Sequence, residues 1–172
     1  MPIRPDDIAA RLLEWDGKHT DLLVKVHGEV SEEDNYPDVL ATLCGSENSR
    51  LQEAASWLVL HCGKCGVAFG PALSGRIVAA MNADKSWAQA LHICQAMKYL
   101  DLTEADAISH LPRFQDLASH KRPFLRAWAV DAVVVLGKRH GGEVLSAAQT
   151  LLANAAKDPA ASVRARVRNI AI

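Results

Sequence analysis

The chain has 172 residues, of which 49% are hydrophobic and 23% charged, a composition typical of a globular protein. No stretch approaches the ~18 consecutive apolar residues that cross a bilayer, and the opening sequence MPIRPDDIAARLLEW is acidic and amphipathic, unlike a signal peptide. We therefore expect a cytoplasmic protein without a membrane segment, whose four cysteines are reduced thiols.

The formal net charge of −1 conceals an asymmetry along the chain. Residues 1–86 contain 8 Lys/Arg and 13 Asp/Glu, whereas residues 87–172 contain 11 and 7. A dedicated duplex-binding protein is usually more basic than this overall, so nucleic acid is not the expected partner. The asymmetry favours an acidic or partly acidic protein partner at the carboxy-terminal half.

Helical periodicity dominates the chain, and no segment shows convincing strand alternation. Residues 5–32 predict an amino-terminal capping helix pair. Two later segments repeat apolar residues at i, i+3, i+4 and i+7, and each is followed by a glycine, Gly63 or Gly137, that we interpret as a helix stop. Thr103 begins a capping arrangement. The whole chain predicts about ten short helices, at the usual helix length.

Apolar columns recur along the chain at intervals of 36, 38 and 38 residues. The first column is Leu51, Trp87, Leu125 and Val163; four positions later it is Ala55, Leu91, Ala129 and Val167; seven positions later it is Leu58, Cys94, Ala132 and Ile170. Another amphipathic helix precedes each of these helices. The sequence therefore predicts four helical hairpins, at residues 37–66, 70–101, 103–140 and 142–172, after a cap at residues 1–36.

The last two hairpins resemble HEAT repeats. Asp158 lies in a turn and is followed after six residues by Arg164, which opens a helix of small and branched apolar residues. Arg126 has the same place in the preceding hairpin, but His120 stands where the turn aspartate is expected, and the first two hairpins have Gln52 and Ala88 instead of the arginine. The resemblance implies one all-α domain over residues 1–172: an armadillo-like, right-handed superhelix of about four HEAT-like hairpins.

The segment HCGKCG at residues 61–66 raises three hypotheses for Cys62 and Cys65: structural residues, half of a zinc site, or a redox pair. The repeat register places Cys62 in the last apolar position of a helix, where cysteine acts as a small hydrophobic residue, and Cys65 in an exposed connection. It also places Cys94 in the core. No second cysteine pair completes a closed zinc site. His61 could join Cys62 and Cys65 as a ligand, and Cys44 could lie near them. The structural interpretation is favoured.

Trp128 and Asp131 suggest an alternative function. Helical-repeat DNA alkylation repair glycosylases carry a tryptophan and an aspartate on one helix beside a basic face, and RAWAVDAVV resembles that segment, with a spacing of three residues instead of four. The structural interpretation is that Trp128 fills space under a neighbouring helix and that Asp131 pairs with an arginine, either Arg126 or one from the next repeat, because an unpaired buried charge is costly.

The second helices of such a solenoid line its concave face, which makes their polar columns the expected binding surface. We predict that a protein partner contacts six residues there: Gln52, Ser56, His92, Arg126, Arg164 and Arg168. No Ser/His/Asp set, phosphate-binding loop or HExxH motif is present. The sequence therefore predicts a non-catalytic interaction module or scaffold, with no catalytic residue, cofactor, metal ligand or small-molecule substrate.

Overall fold

The computed structural model describes residues 2–170, and this part of the chain is all-helical. The element order is α1 (Pro5–Leu12), α2 (Asp21–Val30), α3 (Tyr36–Cys44), α4 (Ser49–Lys64), α5 (Pro71–Ala79), α6 (Trp87–Ala96), a 3₁₀ turn (Met97–Tyr99), α7 (Glu104–Leu117), α8 (Pro123–His140), α9 (Gly142–Ala155) and α10 (Ala161–Val167). The predicted all-α class is confirmed. Among these helices, none combines the length and the apolar character that a membrane span requires.

The predicted columns of the second helices α4, α6, α8 and α10 are largely buried. Ala55, Leu91, Ala129 and Val167 are each at most 7% exposed, and Leu58, Cys94 and Ala132 at most 2%. Trp87 differs from the other residues of its column, because it is 38% exposed at the first position of α6. Ile170 follows α10 and is half-buried.

The chain divides into two compact units, Met1–Leu100 and Asp101–Ile172. Unit 1 contains α1 to α6 and the 3₁₀ turn, and its largest fully buried side chains include Tyr36 and Phe69. Unit 2 contains α7 to α10, and Phe114 is its largest fully buried side chain. Each unit therefore has its own core. The single solenoid domain inferred from the sequence stays a prediction.

Side-chain caps begin three of the helices. Asn48 accepts hydrogen bonds from the backbone N–H groups of Arg50 and Leu51 at the start of α4, and Ser86 accepts one from Gln89 at the start of α6. Thr103 accepts one from Asp106, which confirms the predicted cap of α7. Each cap satisfies a donor that a helix start would otherwise leave unpaired.

Gly63 and Gly137 are not the helix stops that we predicted. Helix α4 continues to Lys64 and α8 to His140, and the left-handed glycines lie further on, at Gly66 (φ +88°) and Gly141 (φ +72°). A Cβ atom on Gly63 would lie 2.6 Å from Tyr99 Cβ, and one on Gly137 would lie 3.0 Å from Leu145 Cα. Both glycines are thus needed for close packing of a neighbouring element.

Candidate functional site

The six predicted contact residues do not form one exposed surface. Gln52 is 4% exposed and Ser56 is fully buried, so we correct the expectation that they present polar atoms to a partner. His92, Arg126 and Arg164 are partly buried, and Arg168 is exposed. Most of these polar side chains bind groups of the chain itself.

The column of Gln52, Arg126 and Arg164 fixes the turns between paired helices. Gln52 Nε2 donates to the backbone oxygen of Ser46 at 2.6 Å, and Arg126 Nη1 donates to that of His120 at 2.9 Å. Arg164 Nη1 donates to the backbone oxygen of Asp158, which is also six residues earlier. The same position thus performs the same structural task in three of the four predicted hairpins.

Arg126 also joins the two hairpins of unit 2 through the turn aspartate that the sequence singled out. Its Nε and Nη2 donate to the two carboxylate oxygens of Asp158 at 2.8 and 2.7 Å, and the side chains are 14% and 11% exposed. The hydrogen bond from Arg126 is the main reason that the pKa of Asp158 lies below its usual value. A charge satisfied in this way is not available to a partner.

Ser56 and His92 contact each other within unit 1. The Ser56 hydroxyl lies 3.0 Å from His92 Nδ1 and also donates to the backbone oxygen of Glu53. Burial lowers the pKa of His92 to about 4, so its imidazole is neutral near pH 7. The pair joins α4 to α6 rather than forming a cationic contact.

Trp128 and Asp131 are both engaged by one arginine of α10. The Arg166 guanidinium lies 3.3 Å from the centroid of the Trp128 ring, and its Nη2 donates to the Asp131 carboxylate. This confirms the prediction that Asp131 pairs with an arginine, which is Arg166 of α10. Since Arg166 covers one face of the Trp128 ring and neutralises Asp131, the arrangement gives no specific support to the glycosylase-like alternative.

A groove of about 310 Å³ lies between α8 and α10, entirely within unit 2. It is lined by Asp131, Val134, Val135, Lys138, Arg166, Asn169 and Ile170. The Lys138 side chain is exposed, and Val135 and Ile170 are partly exposed. Sequence reasoning missed Lys138, although its spacing of seven residues from Asp131 and three from Val135 places all three on one face of α8.

The cysteines of HCGKCG occupy the predicted environments. Cys62 is fully buried and Cys94 is 2% exposed, whereas Cys65 is exposed. Burial raises the pKa of the Cys62 thiol to about 12, so this sulfur remains protonated and unreactive near pH 7. The predicted burial of Cys62 and Cys94 and the predicted exposure of Cys65 are therefore confirmed.

A histidine that sequence reasoning did not connect with this segment lies beside it. The His27 Nδ1 atom is 3.5 Å from Cys62 Sγ, and the His27 ring lies edge-on to the His61 ring, with 4.8 Å between centroids. Burial, with a smaller effect of His61, lowers the pKa of His27. His61 Nε2 is 3.7 Å from Cys65 Sγ, so two imidazoles and an exposed thiol converge at the end of α4.

Comparison with known proteins found no family profile, curated protein or solved structure that matches the chain.

Proposed function

We propose that the helix pairs are HEAT-like repeats of a right-handed superhelix and that the protein is a non-catalytic module that binds a protein partner. Support for the repeat comes from Arg126 and Arg164, which are 38 residues apart and donate to equivalent turn carbonyls. The Arg126–Asp158 pair adds a link of one repeat to the next. Stacked repeats of this kind offer extended surfaces suited to protein recognition.

Within this module, we assign the partner to the groove between α8 and α10. The observation that carries the assignment is the combination of Lys138 with the apolar groups of Val135 and Ile170 in one cavity of about 310 Å³. Asp131 adds no net repulsion for an anion, because Arg166 neutralises it. The groove therefore suits a peptide segment that places an apolar side chain next to a carboxylate.

The charge of the surrounding unit supports the same kind of partner. Residues 101–172 contain 10 Lys/Arg and 7 Asp/Glu, whereas residues 1–100 contain 9 Lys/Arg and 13 Asp/Glu. Of the six residues proposed from the sequence, Arg168 keeps an exposed cationic side chain, in the segment that carries the groove residues Arg166 and Asn169. An acidic partner is therefore steered toward unit 2.

Selection from a displayed library of random peptides on the full chain tests this proposal. We expect enriched peptides to place an acidic residue near a large apolar one, and Lys138→Glu to weaken their binding by at least about 10-fold, since it reverses the groove charge. Lys157→Glu is the matched control, because Lys157 is an exposed lysine of the same unit outside the groove. Circular dichroism establishes that both variants keep their helices. The absence of enriched peptides, or equal loss in both variants, contradicts the assignment.

A further inference from the structure

Three side chains of metal-binding type converge in unit 1, remote in sequence from the groove residues. His27 comes from α2, His61 from the last turn of α4, and Cys65 directly follows α4. One ligand atom from each lies within 4.8 Å of the other two. Nitrogen of histidine and sulfur of cysteine are the ligands that zinc prefers.

The spacing of the ligand atoms is close to that of a tetrahedral zinc site. Zinc binds nitrogen at about 2.0–2.1 Å and sulfur at about 2.3 Å, so two such ligands lie roughly 3.5 Å apart when both bind. The Cys65 Sγ and His61 Nε2 atoms are 3.7 Å apart. That pair is already near the separation required. Since no separation in the cluster exceeds 4.8 Å, the longest must shorten by at most about 1.3 Å.

Local structure holds the ligands in this arrangement. His61 and Cys65 are four residues apart, which places them on one side at the end of α4. Trp57, four residues before His61, stacks on its ring with 5.0 Å between centroids and 11° between planes. Cys62 Sγ lies 3.5 Å from Nδ1 of His27, a contact that helps to orient the His27 ring.

The electrostatic environment also favours a cation. The carboxy-terminal end of a helix carries partial negative charge, and His61 and Cys65 lie at that end of α4. Cys62 is fully buried and serves as the neighbour of His27, whereas Cys65 is exposed and open to an ion from solution. The cluster thus offers three ligands and an accessible side.

We propose that His27, His61 and Cys65 bind one zinc ion and leave its fourth coordination position open to water or to an exchangeable ligand. Three protein ligands with an open position are the arrangement of an accessible zinc centre rather than of a closed structural one. The proposal is independent of the peptide-binding groove, because every ligand belongs to unit 1.

Titration of the metal-free full chain with Co²⁺ and then Zn²⁺ tests the site. We expect one Co²⁺ per chain, with the ligand-field bands of tetrahedral cobalt and a thiolate charge-transfer band, both removed by Zn²⁺. Cys65→Ser should abolish the charge-transfer band, and His27→Gln or His61→Gln should weaken binding by at least about 10-fold. His110→Gln in unit 2 is the control and should bind like the wild type. Absence of the cobalt bands in the wild type overturns the proposal.

Two further measurements keep the assignment of ligands testable. Cys62→Ser should retain the charge-transfer band, because Cys62 is not a ligand. If the band is lost in Cys62→Ser and retained in Cys65→Ser, Cys65 is not the thiolate ligand. In the wild type, Zn²⁺ should lower the rate of Cys65 alkylation at least about 10-fold, as measured by mass spectrometry. Equal alkylation with and without Zn²⁺ contradicts the site even if a variant fails to fold.

Discussion

Asp158 and Arg126 form an ion pair that is largely enclosed, with side chains 11% and 14% exposed. Asp158 also accepts a hydrogen bond from the Ala160 backbone N–H at 2.8 Å. The carboxylate therefore fixes the turn before α10 and connects it to α8. Asp158 therefore stabilises its own turn and also contacts a second helix.

Replacing Asp158 with Asn should destabilise the protein by about 1.5–3 kcal/mol near pH 7, because hydrogen bonds to a charged group are lost. The folded pKa of Asp158 is lowered, so its contribution is present above the unfolded value of about 3.9 and is lost as the pH falls through the folded value. The difference between wild type and variant should shrink below about pH 4. Urea unfolding from pH 7 to pH 3 measures it.

Asp38 provides the control for this prediction. It pairs with Arg76, but these side chains are 56% and 47% exposed, so solvent screens the interaction. Asp38→Asn should therefore cost no more than about 1 kcal/mol at any pH in the series. If the Asp38 and Asp158 variants lose the same free energy of unfolding, the low exposure of the Asp158–Arg126 pair does not strengthen it.

The sequence could predict the environment of a residue on its own helix, but not its partner on another. Periodicity correctly placed Cys62 and Cys94 in the core. The proximity of His27 to His61 depends on how α2 meets α4, and no local spacing encodes it. The sequence offered His61 as a companion of Cys62 and Cys65, but it could not distinguish the two cysteines or supply His27 from α2.

Helices α4 and α8 each contain a glycine that allows a neighbouring element to approach closely. Gly63 faces the 3₁₀ turn at Tyr99, and Gly137 faces α9 at Leu145. They lie 74 residues apart, and the sequence pattern predicts a helix stop at each. A glycine that permits close packing and one that ends a helix give the same sequence pattern; only the neighbouring element distinguishes them.

Gly63→Ala should destabilise the protein by about 1–3 kcal/mol, because overpacking forces shifts in the surrounding structure. The added Cβ would lie 2.6 Å from both Cβ and Cγ of Tyr99. The backbone fixes the position of Tyr99 Cβ, so rotation of the side chain cannot relieve the clash. Thermal and urea unfolding measure the loss.

Gly28→Ala is the matched control within α2, where an added Cβ has nothing within 4 Å. Alanine is the better helix former, so this variant should be neutral or more stable by up to about 1 kcal/mol. A loss of stability in Gly28→Ala as large as in Gly63→Ala would contradict the packing role of Gly63.

At the scale of the whole molecule, the sequence correctly predicted an all-helical chain but did not predict the division after Leu100. Periodicity reports which face of each helix is buried, whereas the division depends on the distribution of contacts among helices. The charge difference also follows the units, since residues 1–100 have a net charge of −4 and residues 101–172 of +3. Each unit is thus distinct in its core and in its electrostatic character.

Two units with separate cores should open as separate cooperative units. In amide hydrogen exchange at low urea, Gly63→Ala should speed exchange in α4 and leave the rates in α8 unchanged. Asp158→Asn should speed exchange in α8 and leave the rates in α4 unchanged. In a repeat array with strong coupling between neighbours, either substitution would speed exchange in both helices, since opening would propagate along the chain. Exchange that rises in α4 and α8 together for both variants would therefore contradict separate opening of the two units.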